Sequence, residues 1–475
     1  MRLAQLGTAF VLLAAAMWSC ESGKQGNAVS GAKVSDVGMW VTTGDRSLLL
    51  QQLTDRINEG VQDGAPTIKI DTAKVYQTMD GFGFSLTGGS AMLLNTKLPA
   101  EKRGELLREL FTTEGNSIGV SYLRISIGAS DLDERVFSYA DFSEGQKKDL
   151  SGFSLDEDKK HLVPVLKEIL AINPDIKIMG SPWSAPAWMK TNNHVKGGSL
   201  RKEYYSEYAR YFVYYLQAMA KEGIRIDAIT IQNEPENPNN TPSMLMTAEE
   251  QADFIKNHLG PAFQQAGITT KIVLFDHNCD HPEYPITILN DVDAKQYVDG
   301  SAFHMYLGEI SAMSKVHEAH PDKHLYFTEQ WTSGEGEFDG DLFWHTRELM
   351  IGAPRNWSRN VLEWNLAADP NFDPHTDDGG CTICQGALTV DAESVSRNVS
   401  YYIIAHGSKF VPDGSVRVDS NIPDGLPNVA YVTPEGRKAL LVVNEGSTEK
   451  IFNVVAGASK FSVTLPKGSV ATLVW

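Results

Sequence analysis

The sequence predicts an α/β chain: a (β/α)8 barrel of the TIM type with an attached all-β sandwich. Three observations predict it. Eight short apolar runs alternate with amphipathic helical segments between residues 78 and 370, the strand–helix rhythm of a parallel barrel. The runs are nearly continuous in apolar residues, as strands buried on both faces must be. From Gln385 onward the helical spacing gives way to short strands parted by turn signals such as Pro434-Glu435-Gly436 and Pro466-Lys467-Gly468.

Taken in order, residues 1–20 have the build of an export signal. Arg2 supplies a positive charge, Phe10 to Met17 an apolar run too short to span a bilayer, and Ser19-Cys20 follow at once. A small residue before a cysteine at that point resembles the lipobox of bacterial lipoproteins, which makes Cys20 the candidate lipidation site. Met17-Trp18 are atypical of that pattern, so an ordinary cleaved signal peptide is the alternative. The expected address is the cell envelope or surface through a lipid anchor, or otherwise secretion or the periplasm. Residues 21–34 are polar and rich in Ser, Gly and Lys, the composition of a flexible tether. Residues 35–76 hold two strands, Gly38 to Thr43 and Thr67 to Ile70, that have no barrel role and are expected to complete the sandwich.

The barrel is assigned to residues 77–384. Its strands are Met79 to Leu86, Ser121 to Ile127, Ile176 to Ser181, Ala228 to Gln232, Lys271 to Phe275, Gly300 to His304, His324 to Thr328 and Asn360 to Asn365. Between them, Pro99 to Phe111, Lys159 to Ile172, Lys202 to Lys221 and Thr247 to Ala266 repeat apolar residues at intervals of three and four, the signature of helices with one buried face. Residues 385–475 form the expected C-terminal sandwich, with strands at Gly386 to Val390, Ser415 to Asp419, Val429 to Val432, Ala439 to Val443, Ile451 to Val455, Lys460 to Leu465 and Ser469 to Trp475.

Charge narrows the partners. Sixty acidic against 42 basic residues leave a net charge of −18, which disfavours a nucleic acid or an anionic membrane surface. A neutral glycan fits, and membrane contact is expected only through the N-terminal lipid. Of four cysteines, Cys381 and Cys384 have the spacing of a metal half-site or a redox pair, but no second pair accompanies them. In an exported chain a small disulfide closing a loop is the better reading, leaving Cys279 as a buried free thiol. No metal or cofactor is expected. Gly81-Phe-Gly-Phe-Ser lacks the lysine of a phosphate loop. Asp276-His277 and Asp280-His281 read as a polar loop lining the cleft, and Asp369 to Asp378 as an acidic surface loop.

The chemistry lies where two strands end. Ile229-Thr230-Ile231-Gln232-Asn233-Glu234-Pro235 and Tyr326-Phe327-Thr328-Glu329-Gln330-Trp331 each deliver a glutamate to the C-terminal rim of the barrel, where such folds place their reactive groups. Two carboxylates facing one site suit glycoside hydrolysis, in which a protonated acid releases the leaving oxygen while the second acts as nucleophile or base on the opposite face of the sugar. Either glutamate alone has a bland alternative as a solvated strand end. The pair argues for catalysis.

The motifs Asp80-Gly-Phe-Gly-Phe-Ser-Leu-Thr, Tyr122-Leu-Arg-Ile-Ser-Ile-Gly, Gly180-Ser-Pro-Trp-Ser-Ala-Pro-Ala-Trp-Met-Lys, Gln232-Asn-Glu-Pro, Phe303-His-Met-Tyr, Thr328-Glu-Gln-Trp and Glu363-Trp-Asn-Leu resemble, in that order, glycoside hydrolase family 30. The resemblance covers residue 67 to the C-terminus and implies a retaining enzyme with its acid/base on strand four, Glu234, and its nucleophile on strand seven, Glu329. It further implies that Arg124 supports the nucleophile and that Asp131 reaches a hydroxyl of the glycone; the Asn233 amide, beside Glu234, can by its own chemistry bond a sugar 2-hydroxyl. Trp183 and Trp364 would wall the sugar, His304 and Tyr306 would flank the nucleophile, and Trp188 and Trp331 would pack behind. Each of these has a structural alternative: Arg124 as a counter-ion, His304 as a satisfied core histidine, the tryptophans as core.

Within the family, Gly379-Gly-Cys-Thr-Ile-Cys-Gln-Gly386 resembles the branch acting on β-1,6-glucan. An exo-acting β-glucosidase or glucosylceramidase-like enzyme is the second reading, a xylan- or fucoside-active relative the third, and a catalytically silent glycan-binding lipoprotein the alternative of another class. Endo or exo mode, oligomeric state and the side of the envelope are left open by the sequence.

Overall fold

The computed structural model describes residues 34–142, 147–392 and 394–475. The export signal, Cys20 and the tether up to residue 33 lie outside the described residues. Among those described, no helix is long and apolar enough to cross a membrane.

Eight parallel strands close into a barrel: β1 (Gly81–Ser85), β2 (Tyr122–Ser126), β3 (Lys177–Ser181), β4 (Ala228–Thr230), β5 (Lys271–Cys279), β6 (Val298–Gly308), β7 (His324–Glu329) and β8 (Ser358–Asn365), with β8 pairing β1. All eight coincide with expected strands, but β5 and β6 run further past the rim than their apolar runs suggested. Gly83 on β1 shows why that strand is glycine-rich. A Cβ there would sit 1.8 Å from the Tyr122 carbonyl oxygen, so only glycine lets β1 and β2 pair at this register.

The helices form because one face of each can be buried. In Tyr205–Lys221 the residues Tyr208, Phe212, Tyr215 and Met219 recur at three and four and are fully buried. The expected helix from Thr247 begins with a reciprocal cap between Thr247 and Glu250, passes through a π-turn at Ile255–Leu259 and stops at Gly267, whose φ is +66°.

Inside the barrel, strand periodicity builds two stacked layers. Tyr122, Met179, Ala228, Val273, Ala302, Tyr326 and Leu362, one from each of β2 to β8, form an apolar floor. Since side chains repeat every second residue, the next inward positions on β2, β3, β4, β6 and β7 are Arg124, Ser181, Thr230, His304 and Thr328. All five are buried and polar. On β5 the alternation breaks: Phe275 and Asp276 both take left-handed backbone, with φ of +73° and +62°, and the pairing with β6 shifts register there. Phe275 is turned onto Tyr284 and Phe303, its N–H taken by the buried Gln251 side chain. Asp276 thereby enters the polar layer one position late.

The all-β domain is a ten-stranded sheet that uses both ends of the chain. Gly38–Thr43 pairs with Ser469–Val474, and Thr67–Thr78 lies between Val416–Ser420 and Lys450–Ala456. Met39, Ile68, Leu440, Phe452, Phe461 and Leu473 fill its core. The division expected at residue 385 is corrected. Leu388–Val390 belongs to a small three-stranded sheet with Ala367–Ala368 and Val395–Arg397, not to the large one. It leads into a helix, Val399–Ser408, where only strands were expected. That helix is buried nearly all round because it lies between the barrel and the sheet, His406 reaching Thr42 and Thr472. A helix covered on both sides carries no amphipathic stripe, so its sequence, VSYYIIAHGS, gave no helical period. The large sheet's C-terminal share starts at Val416.

Candidate active site

The polar layer is organised around Asp276, which is fully buried. Its Oδ2 accepts hydrogen bonds from Arg124 Nη2 (2.8 Å), Ser181 Oγ (2.6 Å) and Thr230 Oγ1 (2.7 Å). Its Oδ1 lies 3.0 Å from His304 Nε2 and accepts from Thr328 Oγ1 at 2.7 Å. The backbone carbonyl of Asp276 also accepts the Glu234 N–H at 2.9 Å. One carboxylate therefore locks one side chain from each of five strands, and its own backbone fixes a sixth residue, Glu234, whose φ of +47° is itself left-handed. Such strain persists where surrounding bonds over-determine the conformation.

Above this hub stand the two glutamates, 6% and 5% exposed. Glu329 closes β7. Arg124 Nη1 donates to its Oε2 at 2.5 Å and the Tyr306 hydroxyl to its Oε1 at 2.9 Å. Glu234 follows β4, its Oε2 accepting from the Asn237 and Asn240 amides at 2.7 and 3.0 Å. His304 stands between them, Nδ1 lying 3.3 Å from Glu234 Oε1 and 3.6 Å from Glu329 Oε1. The two oxygens can be no further apart than those distances laid end to end. That bound, 6.9 Å, lies just inside the roughly 6.5–9.5 Å of inverting enzymes, and a bend at the nitrogen shortens it toward the about 5 Å of retaining ones.

Electrostatics follow from this packing. Burial opposes a charge on His304, but Glu329, Asp276 and Glu234 outweigh it and raise its pKa to about 9. Burial likewise opposes ionisation of Glu234, yet the hydrogen bond and charge of His304, with His277 and Asn237, hold it at about 2. Glu329 is raised by burial, against the pull of His304 and Arg124. Asp131 is driven up to about 8 by burial and by the charges of Glu329 and Glu234, so it is largely a neutral acid at pH 7. Without substrate, the site's mobile proton rests on His304, within reach of both glutamates.

The open space above is a cleft of about 510 Å³. Both glutamates line it, together with Asp131, Trp183, Trp331 and Trp364 and with Asn237, Asn240, His277 and Leu307. Trp183 and Trp364 stack on each other with ring centroids 5.2 Å apart, with the Arg124 guanidinium 4.8 Å from the Trp183 ring. Trp331, expected to pack behind, reaches the cleft itself. Trp188 is indeed buried away from it, its indole N–H donating to the Ala140 carbonyl. Asn233 accepts from Arg124 Nη2 with its side-chain oxygen at 2.7 Å. Cys381 and Cys384 form a disulfide on the cleft wall and Cys279 is a buried free thiol.

Glu234, His277 and His304 also bring three potential metal-ligand atoms within 4.8 Å of one another. Two amides on Glu234 Oε2 and Asp276 on His304 Nε2 already engage two of these side chains from within the protein. Sequence reasoning passed over Asn237 and Asn240, and it took Asp276 for part of an open polar loop. Counting two residues on from each inward apolar position finds the rest of the layer, but the bulge at Phe275 moves Asp276 out of that count.

Paired carboxylates on the fourth and seventh strands of a closed barrel, beside a sugar-sized cleft walled by tryptophan, define a (β/α)8 glycosidase. Comparison with known proteins gives the family. Residues 79–411 match the glycosyl hydrolase family 30 TIM-barrel domain and residues 414–473 that family's β-sandwich domain; the chain belongs to glycosyl hydrolase family 30. Among its relatives, an endo-1,6-β-D-glucanase of Neurospora crassa is 36% identical over 84% of this chain and 85% of that protein. The lysosomal acid glucosylceramidase of Mus musculus is 29% identical over 86% of this chain and 83% of that protein. The solved structure of the endo-β1,6-glucanase BT3312 superposes with a TM-score of 0.84 at 35% identity, covering 92% of this chain and 99% of that one.

Proposed function

We propose that this protein hydrolyses β-1,6-glucan with retention of configuration, Glu329 acting as nucleophile and Glu234 as acid/base. The observation that carries the chemistry is the pair of buried carboxylates that flank one histidine nitrogen. Arg124 and Tyr306 fix both oxygens of Glu329, aiming a carboxylate at the anomeric carbon. As Glu329 attacks, the glycosidic bond breaks and its oxygen takes the proton of Glu234. In the second half, Glu234 takes a proton from water, which attacks the glycosyl ester and frees Glu329.

The resting charges run the other way, with Glu234 low and the proton on His304. Transfer from Nδ1 to Glu234 Oε1, across 3.3 Å, loads the acid. A bound sugar favours that transfer by displacing the water that solvates Glu234. The three groups thus titrate as a unit and not as separate residues.

The substrate reading rests on relatives. Three endo-1,6-β-glucanases at 32–36% identity and a structure at 35% support it. The exo-acting or glucosylceramidase-like alternative draws on relatives such as the mouse enzyme at 29%. The test compares pustulan with laminarin, xylan and a nitrophenyl β-glucoside: gentio-oligosaccharides from pustulan are expected, whereas glucose release from the aryl glucoside or glucosylceramide with pustulan untouched would replace the reading. We extend the same proposal to export and lipid anchoring through Cys20. Labelling with a fatty-acid analogue should disappear in Cys20→Ala.

A further inference from the structure

His277 is the one cleft histidine whose role the hydrolytic mechanism leaves unassigned. It lies just past the Phe275–Asp276 bulge on β5, is 8% exposed, and faces the cleft on the side of Glu234. Its Nδ1 is buried and has no hydrogen-bond partner among the described residues; Glu234 Oε1 is 3.9 Å away, beyond bonding distance. The groups around it are already committed. Asn278 accepts from the Tyr306 backbone N–H, His304 pairs with Asp276 and Glu234, and Asn237 and Asn240 donate to Glu234. His277 Nε2 likewise has no partner among the described residues and, unlike Nδ1, is not enclosed, so it is the ring nitrogen that a molecule in the cleft can reach.

Position says which part of the substrate that is. A general acid protonates the leaving oxygen, so the leaving sugar must lie on the Glu234 side of the cleft. His277 lies 3.9 Å from Glu234, and Asn237 and Asn240 donate to that same carboxylate, so these three line the cleft next to the acid/base. A sugar hydroxyl can donate or accept and so suits either imidazole tautomer. We infer that His277 is a specificity-determining residue that hydrogen-bonds a hydroxyl of the sugar on the leaving-group side, selecting sugar over non-sugar leaving groups. Burial lowers its pKa, in keeping with a neutral ring that can pair with a neutral hydroxyl.

The inference rests on the glucan reading above, and the experiment separates the two. His277→Phe and His277→Ala are compared with the wild type in two assays: kcat/KM on gentio-oligosaccharides against a nitrophenyl β-glucoside, and the ratio of transfer to hydrolysis when glucose is added as acceptor. The second ratio compares sugar with water as attackers of the same intermediate and with the same base. Weakening of Glu234 therefore cancels, whereas loss of a sugar contact does not. Both variants should lower transfer relative to hydrolysis by roughly two- to tenfold, the worth of one hydrogen bond, and lower kcat/KM on the oligosaccharide more than on the aryl glucoside. An unchanged transfer ratio in both folded variants overturns the role of His277 alone, and so does absence of transfer in the wild type. A wild type that leaves gentio-oligosaccharides intact overturns the substrate reading and this inference with it.

Discussion

Asp276→Asn tests whether the site is organised by that one carboxylate. The substitution keeps shape and removes charge, so packing stays and only the bonding pattern changes. If the new amide takes the place of Oδ2, its N–H groups face the Arg124 guanidinium, a donor that cannot become an acceptor, together with two hydroxyls that can rotate. If it takes the place of Oδ1, it faces Thr328 and His304 Nε2, and His304 can accept only by giving up the proton there. The second arrangement is the cheaper, and it makes His304 neutral. In either case a fully buried ion pair between Arg124 and Asp276 is broken, which costs about 3–5 kcal/mol. For a barrel of this length the unfolding entropy is roughly 0.7 kcal/mol per degree, so Tm should fall by about 4–7 °C. The shift of a loosened Arg124 and Glu329 should lower kcat by about 10²-fold. Asp276 is also one of the groups that raise the pKa of His304 to about 9. The alkaline limb of the kcat profile should therefore move to lower pH, a readout that plain destabilisation would not change. An Asn variant with wild-type Tm and an unmoved limb would refute the hub.

Other outcomes follow from the same geometry. Glu234→Gln and Glu329→Gln should each abolish nearly all turnover while remaining folded; azide should rescue Glu234→Ala to a β-azide and Glu329→Ala to an α-azide, identified by NMR, and more than a few per cent activity in either glutamine variant would sink the roles. Stability should fall from about pH 4.5 toward pH 9. Burial lifts Asp133 to about 7 and Asp131 and Asp158 to about 8, so these acids hold protons in the folded state that the unfolded chain releases above about 4. His304, raised to about 9, contributes stability that is complete below its unfolded value of about 6.5 and lost as pH passes 9. Glu234, held at about 2, loses its contribution only as pH falls from about 4.5 toward 2. A thermal scan that is flat or rising from pH 5 to 9 would contradict this. Reducing the Cys381–Cys384 bond should raise KM for the glucan and barely move Tm. The loop it closes spans a separation of only three residues, too short to restrict the unfolded chain much, but both cysteines line the cleft. A large loss of Tm with unchanged KM would show the opposite.

The sequence by itself determined the barrel, its eight strands and both carboxylates, because parallel strands buried on two faces must be short continuous apolar runs and their rim residues follow directly in the chain. The sequence also marked Arg124 and His304, through the motifs Tyr122-Leu-Arg-Ile-Ser-Ile-Gly and Phe303-His-Met-Tyr and their resemblance to the family. What it could not determine is whatever depends on a departure from regular spacing or on burial from both sides. The bulge at Phe275 sends Asp276 into the barrel and His277 into the cleft, and no residue type in Leu274-Phe275-Asp276-His277 announces a left-handed backbone. The helix Val399–Ser408, covered by barrel and sheet alike, lost the polar stripe by which a helix is recognised. The strong electrostatics of the site belong to the tertiary structure as well. Glu234, Asp276, His304 and Glu329 are scattered along the chain and carry ordinary pKa values until folding removes their water and sets them within hydrogen-bonding reach of one another.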